Sequence, residues 1–237
     1  MKNNKIKIFR IILSIIVIAI LIRKTFMKEW FMVFSCFYTL IIFSMPRLFN
    51  KKFKIKFNPL LEISIYLFVF CAEILGEIDE YYITYSWWDD LLHFTSGMLF
   101  SAVGLSFIDL IDKRDRKLRL PIIYKIFGAL CFTMTLLSVW ECFEFGMDKL
   151  FDTDMQKDRF VNKINSVELN KDKKNSPEKI DIKTLKVNDE DWINKYGGYL
   201  DIGLNDTMYD LLDGFLGAFL YLLISYIYLK KKEVKNE

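Results

Sequence analysis

The sequence has little of what disulfide-stabilised proteins, thiolate metal sites and motif-defined enzymes require. It contains one histidine and four cysteines in 237 residues. All four cysteines lie in apolar blocks and none has CxxC spacing, so neither a disulfide framework nor a thiolate metal site is predicted. No GxSxG, HExxH or Walker sequence is present. The common signatures of nucleophilic, zinc-peptidase and nucleotide-binding enzymes are therefore missing.

The sequence also has no large excess of positive or negative charge. The formal net charge is +3, which is too small to indicate a nucleic-acid partner. Lys and Arg instead cluster in short segments beside apolar blocks, where they act as determinants of membrane topology. The partner that this pattern predicts is the lipid bilayer.

The sequence is rich in long apolar blocks. Hydrophobic residues make up 53% of the chain and aromatic residues 16%, and they occur in runs instead of at amphipathic spacing. Most of the runs approach the ~20 residues that a helix needs to cross the hydrocarbon layer. The sequence therefore predicts an all-α, polytopic membrane bundle of about six transmembrane helices, in blocks 8–22, 30–45, 59–76, 91–110, 121–145 and 207–229.

Basic residues predict the orientation of these helices. With the N-terminus inside, the inner segments 2–10, 47–56, 113–119 and 230–235 hold eighteen Lys and Arg residues, and the short outer connections hold three. Cytoplasmic loops carry such an excess, so both termini are predicted to be cytoplasmic. Block 8–22 resembles a signal peptide, but Arg23 and Lys24 follow it where a cleavage site would stand, which favours an uncleaved anchor.

These features predict four regions along the chain. They are two N-terminal anchor helices in 1–58, three core helices in 59–145, an extracytoplasmic polar loop in 146–206, and a last core helix with a basic cytoplasmic tail in 207–237. Within the loop, 162–191 has little apolar periodicity and is predicted to be weakly ordered. Trp192, Tyr196 and Tyr199 are predicted to lie at the membrane interface.

Acidic residues recur at helical spacing near the predicted outer ends of four helices. These single-face groups are Glu73, Glu77 and Glu80; Asp89 and Asp90 with His93; Glu141, Glu144 and Asp148; and Asp206, Asp210 and Asp213. A carboxylate in hydrocarbon costs about 2.5 kcal/mol or more on insertion scales and faces a bundle interior or water. The deeper groups therefore require protons, water or a bound cation.

The sequence offers candidates for a metal site. The candidate ligands are His93, Asp90, Glu141, Glu144, Asp206 and Asp210, and Glu144 and Asp210 are also candidate catalytic bases. Oxygen-rich ligation with one imidazole suits Mn, Mg, Fe or Zn. Two alternatives stay open: His93 as a hydrogen-bonded core residue, and Glu80, Asp89 and Asp148 as solvated residues at the interface.

Small residues recur at spacings of three or four residues in three of the predicted core helices. Such residues let helix backbones approach closely, so they predict tight packing. They are Ala72 and Gly76; Gly97, Ser101 and Gly104; and Gly214 and Ala218.

Three runs, WWDDLLHFTSG at 87–97, WECFEF at 140–145 and GLNDTMYDL at 203–211, resemble the YjdF-like family of bacterial inner-membrane proteins. The resemblance covers the last four predicted helices and implies a multi-pass protein of the bacterial inner membrane without an established activity. Asn205 stands where the family pattern has a second Asp. The order of acidic residues is more distantly similar to the VanZ-like proteins linked to glycopeptide resistance, which points to the cell envelope.

Three classes of function stay open on the sequence alone. The first is a non-catalytic membrane or cell-envelope protein whose polar cluster is structural. The second is a metal-dependent, membrane-embedded enzyme acting on an envelope lipid. The third is a proton- or cation-coupled transporter, although the chain has no inverted repeat and no helix broken at mid-membrane by Gly or Pro.

Overall fold

The computed structural model describes residues 2–53, 57–114 and 120–235, and most of them are helical. The helices are α1 (Lys2–Met27), α2 (Trp30–Ile42), α3 (Met45–Phe53), α4 (Pro59–Val69), α5 (Tyr81–Thr84), α6 (Trp88–Arg114), α7 (Ile122–Phe151), α8 (Trp192–Tyr196) and α9 (Leu204–Val234). A π-helix, Phe70–Ile78, continues directly from α4.

The predicted polytopic helical bundle is confirmed. Among the described residues, five helical segments are long and apolar enough to cross a membrane: Trp30–Phe49, Pro59–Ile78, Trp88–Asp112, Ile122–Phe151 and Leu204–Val234. Block 8–22 lies in α1, where only twelve residues separate Arg10 from Arg23. The count of six spans and the sides of the termini stay predictions. Parts of basic segments 47–56 and 113–119 lie outside the described residues.

Backbone contacts divide the chain into two units. Unit 1 comprises Met1–Ser138 and Asp210–Glu237, and unit 2 comprises Val139–Tyr209.

The N-terminal part of unit 1 is built from α1, α2, α4 and the π-helix, which bury one apolar cluster. Val17, Cys36, Tyr66 and Ile74 lie fully or almost fully inside it. The Tyr66 ring packs edge-on against Phe43 at 5.5 Å between centroids, and its hydroxyl donates to the Glu62 carboxylate over 2.6 Å. Burial of a tyrosine is tolerated here because its polar end has an acceptor.

The second part of unit 1 depends on close helix packing. A methyl group added to Gly97 on α6 would overlap the Gly214 carbonyl oxygen on α9, and one added to Gly217 would overlap the Phe94 carbonyl oxygen. The backbones of α6 and α9 therefore touch, as small residues allow. The packing predicted at Gly97 and Gly214 is confirmed, whereas Gly76 packs against the ring of Tyr82 and not against another long helix.

A buried polar contact joins α6 to α7 in the same unit. The hydroxyls of Ser101 and Thr133 lie 3.0 Å apart with both side chains fully buried, and Thr133 also donates to the Ala129 carbonyl over 2.8 Å. Both hydroxyls are thereby satisfied without water.

Unit 2 contains three two-stranded antiparallel sheets. β1 (Phe160–Val161) pairs with β6 (Tyr199–Leu200), β2 (Lys163–Ser166) with β3 (Glu178–Asp181), and β4 (Lys186–Val187) with β5 (Glu190–Asp191). Paired strands therefore occur in 162–191, which was predicted to be weakly ordered. Strands of two to four residues are too short to produce a detectable alternation of apolar residues.

The glycine contact between α6 and α9 predicts a specific loss of stability. Gly97→Ala is expected to reduce the free energy of unfolding by about 1–3 kcal/mol, because the new methyl group overlaps a backbone oxygen that cannot rotate away. Unfolding of the purified protein in detergent micelles measures the loss.

Gly146→Ala is the matched control, because a methyl group there meets no heavy atom of the described residues within 4 Å. Alanine is the better helix former by about 1 kcal/mol, so this variant is expected to be neutral or slightly more stable. Equal responses of the two variants would contradict the packing.

Candidate functional site

Unit 1 brings one imidazole and two carboxylates together. His93 Nε2 lies 3.5 Å from Asp89 Oδ1 and 3.8 Å from Asp210 Oδ2. One ligand atom from each of the three side chains lies within 4.8 Å of the others. We call these three residues the Asp89–His93–Asp210 site.

The glycine contact positions this site. His93 lies one turn before Gly97 on α6, and Asp210 lies one turn before Gly214 on α9. Because the two backbones touch at the glycines, the side chains one turn away face the same small space. Asp89 joins them because it lies four residues before His93 on the same helix face.

The site is enclosed. The exposed fraction is 1% for Asp210 and 8% for His93, and Asp89 is half-buried. Trp88, also buried, packs its ring against Tyr81 at 5.0 Å between centroids. The two carboxylates therefore interact with the imidazole in surroundings where little water screens their charge.

The predicted ligands are only partly brought together here. His93 and Asp210 belong to the site, whereas Asp90 is half-buried and lies outside the group of three. Asp89 takes that place, although it is not among the candidate ligands predicted from the sequence and solvation at the interface is the alternative left open for it. The signal for Asp89 was its spacing of four residues from His93, which aligns the side chains better than the three-residue spacing of Asp90 in this helix.

Unit 2 contains a buried pair of glutamates on α7. Glu141 and Glu144 are both buried, and each offers a carboxylate oxygen within 4.8 Å of the other. Trp140 Nε1 donates to Glu144 Oε1 over 2.8 Å. An indole donor on a carboxylate orients it and partly compensates for its loss of water.

Asp206, another predicted ligand, organises the chain of unit 2. It is buried, accepts the backbone N–H of Lys157 over 2.8 Å and lies 3.6 Å from the Arg159 guanidinium. Beside it, Gln156 donates to the Thr207 hydroxyl. Asp206 therefore holds the segment before β1 against the start of α9.

Asp148 has a similar structural role at the end of α7. One of its carboxylate oxygens accepts the Thr153 hydroxyl over 2.8 Å and the Met155 backbone N–H over 2.7 Å. The other accepts the Gln156 backbone N–H over 2.9 Å. Three donors on one carboxylate fix the turn by which the chain leaves the helix.

Two carboxylates of unit 2 outside the membrane-spanning segments have shifted pKa values. Partial burial raises the pKa of Asp201, but hydrogen bonds from the Arg159, Asn205 and Gly203 backbone N–H groups and the Asn205 amide outweigh it and lower that pKa below its ordinary value. Desolvation first, and then the charges of Asp154, Asp201 and Asp148, raise the pKa of Asp158.

The opposite shifts predict opposite effects of two Asp→Asn substitutions. Asp201→Asn is expected to destabilise unit 2 at neutral pH by roughly 1 kcal/mol, because charge-assisted hydrogen bonds become neutral ones. Asp201 loses its contribution as pH falls through its lowered pKa, so the difference from the unmodified protein should shrink in acid.

Asp158→Asn, the control, is expected to be neutral or stabilising at neutral pH, because it removes a charge that the fold disfavours above the raised pKa. Hydrogen exchange of peptides covering β1 and the start of α9 measures both effects. Faster exchange in Asp158→Asn than in Asp201→Asn would contradict this assignment.

Comparison with known proteins agrees with a membrane location. The family model described as "Predicted membrane protein (DUF2238)" matches residues 6–231, nearly the whole chain. No curated protein and no solved structure matches the chain. With five apolar spans in the described residues, the chain is an integral, multi-pass membrane protein in contact with the lipid bilayer. It belongs to the DUF2238 family of predicted membrane proteins.

Proposed function

We propose that the protein binds a divalent cation at the Asp89–His93–Asp210 site. The observation that carries the proposal is the convergence of one imidazole and two carboxylates, within 4.8 Å of one another, on helices that can cross a membrane. Ionisable side chains in membrane spans are rare and pair with each other, with ions or with substrates.

The position of one ring nitrogen favours a shared cation. His93 Nε2 lies within 4 Å of an oxygen of each carboxylate. The three side chains together offer one nitrogen and two oxygen ligand atoms. A metal ion accepts all three donors together.

The distances suit a common ligand sphere. Donor atoms about 2.1 Å from a tetrahedral metal lie about 3.4 Å from one another. The distances of 3.5 and 3.8 Å from His93 Nε2 to the two carboxylates are close to that value. Two oxygen donors and one imidazole fit Mn, Mg, Fe or Zn, as the sequence predicts for this chain. Side-chain rotation would close the remaining gaps.

A cation there would make lipid chemistry accessible, because metal-bound water is a nucleophile at neutral pH. Asp210 could then act as a base, and Glu144 stays a second candidate base. The resemblance to YjdF-like proteins favours a location in the bacterial inner membrane, and the similarity to VanZ-like proteins favours an envelope lipid as substrate. Proton- or cation-coupled transport is the alternative use of the same buried carboxylates.

Direct metal measurement tests the proposal. Full-length protein purified in detergent, stripped with chelator and titrated with Mn²⁺, Zn²⁺ or Mg²⁺, is expected to bind about one equivalent of at least one of them. His93→Gln and Asp210→Asn should each weaken that binding by about 10-fold or more, because each removes a direct ligand and loss of an outer-shell partner alone already costs about 10- to 100-fold.

Asp79→Asn is the matched control, because it removes an exposed carboxylate of unit 1 and should leave the affinity unchanged. His93→Lys tests the purely structural alternative. It places a positive charge beside Asp89 and Asp210 but offers a poor metal ligand. If none of the three metals binds unmodified protein, and His93→Lys unfolds like unmodified protein, the site is an ion pair and the proposal fails.

Flux measurements separate the two uses of a bound cation. In proteoliposomes, a transporter is expected to show proton or metal flux that His93→Gln abolishes. An enzyme is expected to show no such flux, and to modify an added envelope-lipid extract only with the metal present. Metal binding without either result would leave a cation-stabilised structural protein.

A further inference from the structure

Basic and aromatic side chains pair near both ends of α9. The Arg159 guanidinium lies over the Tyr209 ring at 4.8 Å from its centroid, and the Lys230 ammonium lies over the Tyr226 ring at 5.8 Å. Such cation–π pairs combine an apolar ring with a charged group, which suits the boundary between hydrocarbon and water.

The spacing of the two pairs matches a bilayer. At the α-helical rise of 1.5 Å per residue, Tyr209 and Tyr226 are about 26 Å apart along the helix axis. The hydrocarbon core of a membrane is about 30 Å thick. α9 itself is 31 residues long, so its two ends extend beyond the hydrocarbon. The two pairs are therefore separated along α9 by nearly the thickness of the hydrocarbon core.

Arg159 links the first of these levels to the sheets of unit 2. It directly precedes Phe160, the first residue of β1, and β1 pairs with β6 only a few residues before α9 begins. Because Arg159 lies against Tyr209 in the second turn of α9, β1 begins at the height of that turn. This part of unit 2 is therefore held beside the first two turns of α9.

An aromatic cluster surrounds this strand. Phe160 stacks on Tyr196 at 5.0 Å between centroids and contacts Trp192 at 6.3 Å, and Trp192 packs edge-on against Tyr196 at 5.5 Å. The exposed fractions of Phe160 and Tyr196 are 45% and 41%. Lys195 lies over Tyr196 at 5.0 Å, the same basic and aromatic combination as at Tyr209.

We propose that the cluster of Phe160, Trp192 and Tyr196 rests in the headgroup layer of the bilayer beside α9. Trp and Tyr favour this layer because their rings are apolar and their polar ends reach water. Lys149, over the Phe145 ring at 5.6 Å near the end of α7, adds another such pair within unit 2. The partner that fits these paired aromatic and basic side chains, and their link to a membrane helix, is lipid. The proposal is independent of the metal site.

A fluorescent probe tests lipid contact. The four cysteines are replaced by alanine, a single cysteine is introduced by Tyr196→Cys, and the environment-sensitive dye NBD is attached. In phospholipid vesicles, the probe is expected to emit at shorter wavelength than in Lys174→Cys, where the native side chain is 73% exposed. Its quenching by aqueous iodide should be several-fold weaker. Lipids carrying a nitroxide on the headgroup should quench it strongly.

Two results would overturn the proposal. Equal iodide quenching at positions 196 and 174 would mean that the cluster faces water. Protection from iodide without quenching by nitroxide lipids would mean that protein, including a second copy of the chain, covers it. Size-exclusion profiles and unfolding of the cysteine-free background verify the fold, and a probe introduced by Phe160→Cys replaces the first if Tyr196→Cys disrupts packing.

Discussion

The close contact between α6 and α9 is the constraint on which the polar site depends. Gly97, Gly214 and Gly217 let the two backbones meet without intervening side chains. One turn away from the glycines, the side chains of His93 and Asp210 are both buried and face the same small space. The small residues and the buried ionisable residues therefore belong to one arrangement. The small residues set the distance between α6 and α9, and that distance brings the ionisable side chains close enough to contact one another.

The buried and half-buried acidic residues described above are of two kinds. In unit 2, Asp148, Asp201 and Asp206 accept backbone N–H groups and hold turns, so their charges stabilise local chain geometry. In unit 1, Asp89 and Asp210 face an imidazole. A carboxylate that accepts backbone N–H groups fixes the local chain geometry, whereas carboxylates grouped around one imidazole offer ligand atoms that one ion could share. This difference is why the proposal concerns Asp210 and not Asp206.

The sequence predicted the membrane bundle well because long apolar runs have few alternatives to crossing a bilayer. It also predicted close helix packing at Gly97 and at Gly214, and it named His93 and Asp210 as candidate ligands. It named Asp90 and not Asp89 as a candidate ligand, because residues three and four positions before His93 are both helical neighbours and the structure is needed to choose between them. It missed the acceptor role of Asp206, since that depends on Lys157 and Arg159, which lie some fifty residues earlier in the chain. The paired strands within 162–191 were missed because they are very short.

The glycine contact also acts mechanically as a pivot. The Asp89–His93–Asp210 site lies one turn, about 5.4 Å, from the point where α6 and α9 touch. A change of about 10° in the crossing angle at that pivot would move His93 and Asp210 apart by about 1 Å, which is half of a typical metal–ligand bond length. A ligand bound at the site would thus oppose tilting of the two helices. Forces that tilt the helices would in turn weaken the binding of that ligand.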